Sequence, residues 1–125
     1  MRIGMVFAVA AAAAFLAPAT SIAQEEGKQD FTLVNETGYA ISEVYVSPSR
    51  ASDWQEDIMG SDVLEIDSQV HITFHRREHP CHWDLKVVYQ DDDSSAEWGH
   101  IDLCTVSTIT IHYNRRSGET SATTE

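Results

Sequence analysis

The residues of this chain best suited to chemistry crowd into one stretch, HITFHRREHPCHW (71–83), which holds four of its six histidines. His71, His75, His79 and His82 follow one another at spacings of four, four and three. On a helix those spacings would align four imidazoles on one face, as a metal centre requires. The residues between them point elsewhere. Val70, Ile72 and Phe74 alternate with period two, and Pro80 would break a helix. On a strand, His71 and His75 share a face but lie about 13 Å apart, too far to hold one ion. What survives is a reversal over 76–82 that folds His75, His79 and His82 together, with Asp84 on the strand that follows. Neutral imidazoles plus a carboxylate would suit zinc or copper. The competing expectation is exposed histidines beside a chain reversal, with no cofactor at all.

Two further groups of residues could bind ions. Asp91-Asp92-Asp93 with Glu97 is a calcium candidate, since calcium takes about six to eight oxygens. The run lacks the glycine and spacing of an EF-hand loop. Asp53, Glu56 and Asp57 would have to add carboxylates from another loop, and a plain solvated turn is the alternative. Arg76-Arg77 and Arg115-Arg116 each follow a strand-like segment. If both strand ends meet at one pole, an acidic protein carries an anion patch there. If they do not, the pairs simply point into water.

Catalytic patterns are missing. There is no G-x-S-x-G, no phosphate-binding loop and no H-E-x-x-H, so an enzyme is the least favoured class. Cys81 and Cys104 are the two cysteines, without Cys-x-x-Cys spacing, and in an exported chain the default is a disulfide. Closing a loop of about 24 residues contributes about 3.5 kcal/mol by chain entropy. That is a large share of the roughly 5–15 kcal/mol that holds a small domain folded. Reactive or metal-binding thiols are the sharper alternative.

Export itself is read from the first residues. Arg2, the apolar run 3–17 (IGMVFAVAAAAAFLA), Pro18 and Ser21-Ile22-Ala23 have the order of a cleavable signal peptide over 1–23. The run is shorter than the roughly 20 residues of a permanent span, so no membrane span is expected after cleavage. Removing Arg2 with the leader leaves seven basic residues against twenty acidic ones, a net charge of −13 with neutral histidines. That charge repels nucleic acid and anionic membranes. A protein or an envelope component is the kind of partner left open.

The elements that must position these groups read as short strands. Residues 24–29 are a polar, flexible lead-in, and the domain runs over 30–116. FTLVN and YAISEVYV (39–46) flank the turn Asn35-Glu36-Thr37-Gly38 and form a first hairpin, with a bulge near Ile41–Val44. Residues 47–62 form an ordered loop anchored by Trp54, whose alternative role is stacking on a ligand. Val63, Leu64 and Ile66 mark a short strand, followed by SQVHITFH, WDLKVVYQ, AEWGHIDLC and VSTITIHYN. Residues 117–125 are a polar C-terminal tail, part of which could add an edge strand. About seven short strands with frequent turns and no amphipathic helix predict an all-β, antiparallel sandwich stapled by one disulfide.

The segments NETGYAISEVYVSPS (35–49), DWQEDIMG (53–60), CHWDLKVVY (81–89), DLC (102–104) and ITIHYN (109–114) resemble a family of small exported bacterial proteins of unknown function. The resemblance covers nearly all of the mature chain. It implies an exported sandwich with this cysteine pair, and it brings no catalytic residues. Members often carry an argininosuccinate lyase label, but the Gly-Ser-Ser-x-Met-Pro signature of that enzyme is absent. It also implies that His75, His79 and His82, and any metal role for them, are peculiar to this chain. The expected function is a periplasmic or secreted, non-enzymatic binding or envelope-associated module. A metal-binding periplasmic protein is the alternative, and a lyase the residual one.

Overall fold

A computed structural model describes residues 27–125; the expected leader (1–23) and the first part of the lead-in lie outside the described residues. Seven strands form: β1 (Phe31–Glu36), β2 (Ile41–Pro48), β3 (Gln69–Ile72), β4 (His82–Tyr89), β5 (Ser95–Asp102), β6 (Thr108–Asn114) and β7 (Glu119–Thr124). They build a four-stranded sheet in the order β3-β1-β6-β7 and a three-stranded sheet in the order β2-β4-β5. Period-two alternation explains which residues face inward. Phe31 and Leu33 of β1, Ile109 and Ile111 of β6, and Trp83, Leu85 and Val87 of β4 are buried. With Val44 and Val46 of β2 they merge into one core between the sheets. Each such side chain contributes about 1.5–3 kcal/mol on burial. The all-β sandwich of seven strands with one disulfide is therefore the observed fold.

Several local expectations change. β1 and β2 do not form a hairpin; they lie in different sheets. The turn between them is closed by Asn35, whose Oδ1 accepts the Thr37 N–H at 3.1 Å and the Thr37 hydroxyl at 2.7 Å. That Asx turn sends the chain across the gap between the sheets instead of back along β1. Residues 73–81 likewise cross from one sheet to the other, because β3 and β4 belong to different sheets. The sandwich is not wholly antiparallel: β1 pairs with β6 in parallel, from Thr32↔Thr108 to Glu36↔His112. The strand expected at 62–67 shrinks to a single bridge, Ile41↔Leu64. The expected bulge in β2 is present, between Ile41 and Glu43.

Both ends of the domain are more ordered than their polarity implies. Gln29 is fully buried, and its Nε2 donates to the carbonyls of Glu78 at 3.0 Å and Pro80 at 2.9 Å. Asp30 accepts the N–H groups of Phe74 and Gly27. Thus 27–29 is packed chain, not flexible lead-in. Glu119–Thr124 of the expected tail pairs with β6 over its whole length as β7.

The registers define two poles. β1 begins, β3 ends, β4 begins and β5 ends near the bond between Cys81 and Cys104. At the other pole β1 and β6 end, β4 finishes in Tyr89, and Tyr39 leads into β2. There Asn35, fully buried, donates through Nδ2 to the carbonyls of Tyr39 (2.8 Å), Leu64 (3.1 Å) and Glu65 (3.2 Å).

Candidate functional site

The densest gathering of imidazoles lies at the disulfide pole. A groove of ≈ 470 Å³ is lined by Ser49, Arg50, His79, His82 and His100, with Cys81 and two prolines completing it. Three elements supply it: the end of β2, the segment leading into β4, and β5. Pro48 and Pro80 stiffen the two flanking segments, since each ring fixes its own φ. The disulfide ties the entry of β4 to the exit of β5, and the Leu103 N–H donates to the Cys81 carbonyl at 2.8 Å.

His100 is set into the groove region by a bulge. Trp83 pairs with Ile101 and Leu85 with Trp98, so Gly99 and His100 together oppose Asp84. His100 adopts φ 56°, a left-handed conformation uncommon for a side chain of this bulk. Asp84 holds it there, its Oδ1 accepting the His100 N–H at 3.0 Å and the Ser49 hydroxyl at 2.8 Å. A Cβ on Gly99 would stand 3.3 Å from that same oxygen, so the glycine lets the carboxylate approach.

The four expected metal ligands do not converge. His75 lines a different depression, beside His71, Glu56 and Trp83, and its Nδ1 accepts the Arg77 N–H at 3.1 Å. Asp84 is a backbone anchor, and it faces a third depression with Trp54, Asp53 and Glu97. His79 and His82 do share the groove. Among the described residues, the one group of three ligand atoms within 4.8 Å of each other is Cys81, Asp102 and Cys104, and its sulfurs are bonded together. The physical reason is the crossing between sheets, which spreads 75–84 along the pole rather than curling it.

Two of the calcium candidates are committed to nearby backbone, while Asp53 and Glu97 share the depression that Asp84 faces. Asp57 Oδ1 accepts the N–H groups of Val44 (2.8 Å) and Met59 (3.0 Å), which fastens the 49–62 loop along the outer edge of β2. Asp92 Oδ1 accepts the Ser94 N–H and hydroxyl, and these bonds hold its carboxyl below the usual range. Asp91–Asp93 tip the β4–β5 hairpin, away from the loop that carries Asp53 and Glu56. Trp54 does anchor its loop, but on the outside. It is half-exposed and packs 6.4 Å from the Tyr45 ring, with the Lys86 ammonium 6.0 Å from its own.

The arginine pairs sit at opposite poles. Arg76-Arg77 follow β3, which ends where β1 begins, and Arg115-Arg116 follow β6, which ends where β1 ends. The length of β1, about 17 Å, separates them. No joint anion patch exists. Arg50 and His100, which share the groove with His79 and His82, were not legible from sequence, because strand pairing alone brings residues 50, 79–82 and 100 together. No protein family, curated protein or solved structure matches this chain.

Proposed function

We propose that this protein is an exported, non-enzymatic binding module, acting in the periplasm or outside the cell, whose binding face is the groove at the disulfide pole. The observation that carries the proposal is the lining: Arg50 and three imidazoles gathered at one end of a chain with net charge −12. Guanidinium and imidazole N–H donors suit a carboxylate or phosphate group. The bulge that holds a bulky residue at positive φ supports this, since such strain concentrates at ligand sites. The disulfide suits an oxidising compartment, and no helix among the described residues is long and apolar enough to cross a membrane. Membership of the exported family that the sequence resembles belongs to the same proposal.

Metal binding is the second reading, favoured by the presence of His79, His82 and His100 in one groove. Separate amide NMR titrations of the mature, oxidised protein with inorganic phosphate and with zinc decide between them. Anion recognition predicts saturable shifts at 49–50, 79–82 and 99–101 with phosphate, weakened about tenfold by Arg50→Ala. Saturable zinc binding that survives Arg50→Ala assigns the groove to metal. Absence of both overturns the groove as the binding face.

A further inference from the structure

The opposite pole carries a second cavity of different chemistry. Tyr39, Tyr89 and Tyr113 line a pocket of ≈ 140 Å³ together with Asp91, Asp92 and Ser94. The three rings stand nearly at right angles to one another. Tyr39 meets Tyr89 at 84° and Tyr113 at 89°, and Tyr89 meets Tyr113 at 73°. Their centroids lie 6.1, 5.4 and 5.9 Å apart. Three mutually perpendicular planes at that separation make the inside corner of a box. Asp91 and Asp92 of the β4–β5 turn line the same space.

We propose that this corner is a binding site for a small organic cation of the quaternary or methylated ammonium class. The rings present negative quadrupole faces to a cation, and methylated ammonium groups are the ions such aromatic corners hold best, being bulky and weakly hydrated. Asp91 and Asp92 add the opposite charge at the rim. The cavity exceeds the room one water needs several-fold, which suits a head the size of trimethylammonium. The corner is preformed: Tyr89 is buried and its hydroxyl pairs with Thr120 Oγ1 at 2.7 Å. Asn35 and Thr37 hold the Tyr39 carbonyl. The Arg115 guanidinium rests 5.6 Å from the Tyr39 centroid, a fixed positive charge that a bound cation has to tolerate. Arg115 does not line the cavity.

The test is titration of the mature, oxidised protein with tetramethylammonium and with choline, followed by amide NMR. Dimethylbutanol, the uncharged carbon isostere of choline, is the control. Saturable shifts centred on 37–40, 89–94 and 111–114 are expected, with the alcohol at least about tenfold weaker. Tyr113→Phe keeps the π face and should bind within about threefold of the parent, whereas Tyr113→Leu keeps apolar bulk and should bind about tenfold more weakly. Should Tyr113→Leu fail to fold, Asp92→Asn replaces it, with an expected loss of about threefold from the missing charge. Sedimentation with phosphatidylcholine and phosphatidylglycerol vesicles separates the two sources of this head group. Pelleting with phosphatidylcholine alone assigns a lipid head; choline binding without pelleting assigns a free solute. Equal affinity for choline and the alcohol, or no saturable shift by about 50 mM ammonium ion, overturns the proposal.

Discussion

Asn35 offers the sharpest test of how the two sheets are joined. Its side chain makes contacts that span β1, the 64–65 segment and the approach to β2. In Asn35→Ala the carbonyls of Tyr39, Leu64 and Glu65 each keep another donor: the Thr37 hydroxyl, the Ile41 N–H and the Ser68 N–H. The Thr37 N–H loses its acceptor in a buried place. The loss is then about 1 kcal/mol for each of two or three net hydrogen bonds, plus about 1 kcal/mol for the orphaned donor, or roughly 3–4 kcal/mol. For a domain of this size that lowers Tm by roughly 15–25 °C. Asn35→Asp keeps the acceptor but turns an ionised oxygen toward three carbonyls, so it should cost more than alanine at pH 7. The folded state would raise the pKa of the new carboxyl. The penalty is therefore full above the folded value and shrinks as pH falls from there to the unfolded carboxylate pKa of about 4, so Asp should recover relative to Ala on acidification. Urea unfolding of the oxidised protein at neutral and acid pH measures both variants. A loss under about 1 kcal/mol for Asn35→Ala, or an aspartate variant as stable as the parent at pH 7, would refute the role assigned to this side chain.

Other outcomes follow from the same structure. Replacing Cys81 and Cys104 by alanine should lower stability by about 3.5 kcal/mol in denaturant titration, given a separation of 23 residues. Tyr45 donates its hydroxyl to Glu43, and chiefly for that reason its pKa is pushed up to about 12. Phenolate absorbance should show one tyrosine ionising near that value; the stabilisation from this bond is whole below the unfolded pKa of about 10 and lost as pH climbs through the folded one. Gly27→Ala would bring a Cβ to 2.6 Å from the Phe74 carbonyl oxygen, so protease cleavage before β1 should accelerate while the rest of the domain stays folded. His100→Gly relieves the positive φ and should leave stability within about 1 kcal/mol, yet weaken phosphate binding at the groove.

Strand periodicity carried the layers of this fold. ITIHY and WDLKVVY place Ile109, Ile111, Leu85 and Val87 inward as alternation requires. Alternation says nothing about which strand lies beside which. The hairpin expected from FTLVN and YAISEVYV failed because a turn signal marks a change of direction, not a change of sheet. The edge strand expected from part of the polar tail is β7, but its extent over ETSATT was not readable, because an edge strand with both faces partly wet needs few apolar residues. At the groove, His79 and His82 were visible as histidines near Cys81, but His100 enters through a bulge and Arg50 through the register of β2 on β4. The corner of tyrosines was hidden for the same reason: Tyr39, Tyr89 and Tyr113 are far apart in sequence and meet only where three strand ends coincide.

The parallel seam between β1 and β6 has a consequence for the order of assembly. Thr32 finds its neighbour Thr108 only after most of the chain has been made. An extended segment paired on the β3 side alone leaves the other half of its backbone donors and acceptors to water until then. Long-range closure of this kind is slow, because loop entropy is lost before contacts repay it. A polypeptide that settles only once β6 arrives keeps its larger sheet open until then, which leaves that sheet's closure as the late step of folding.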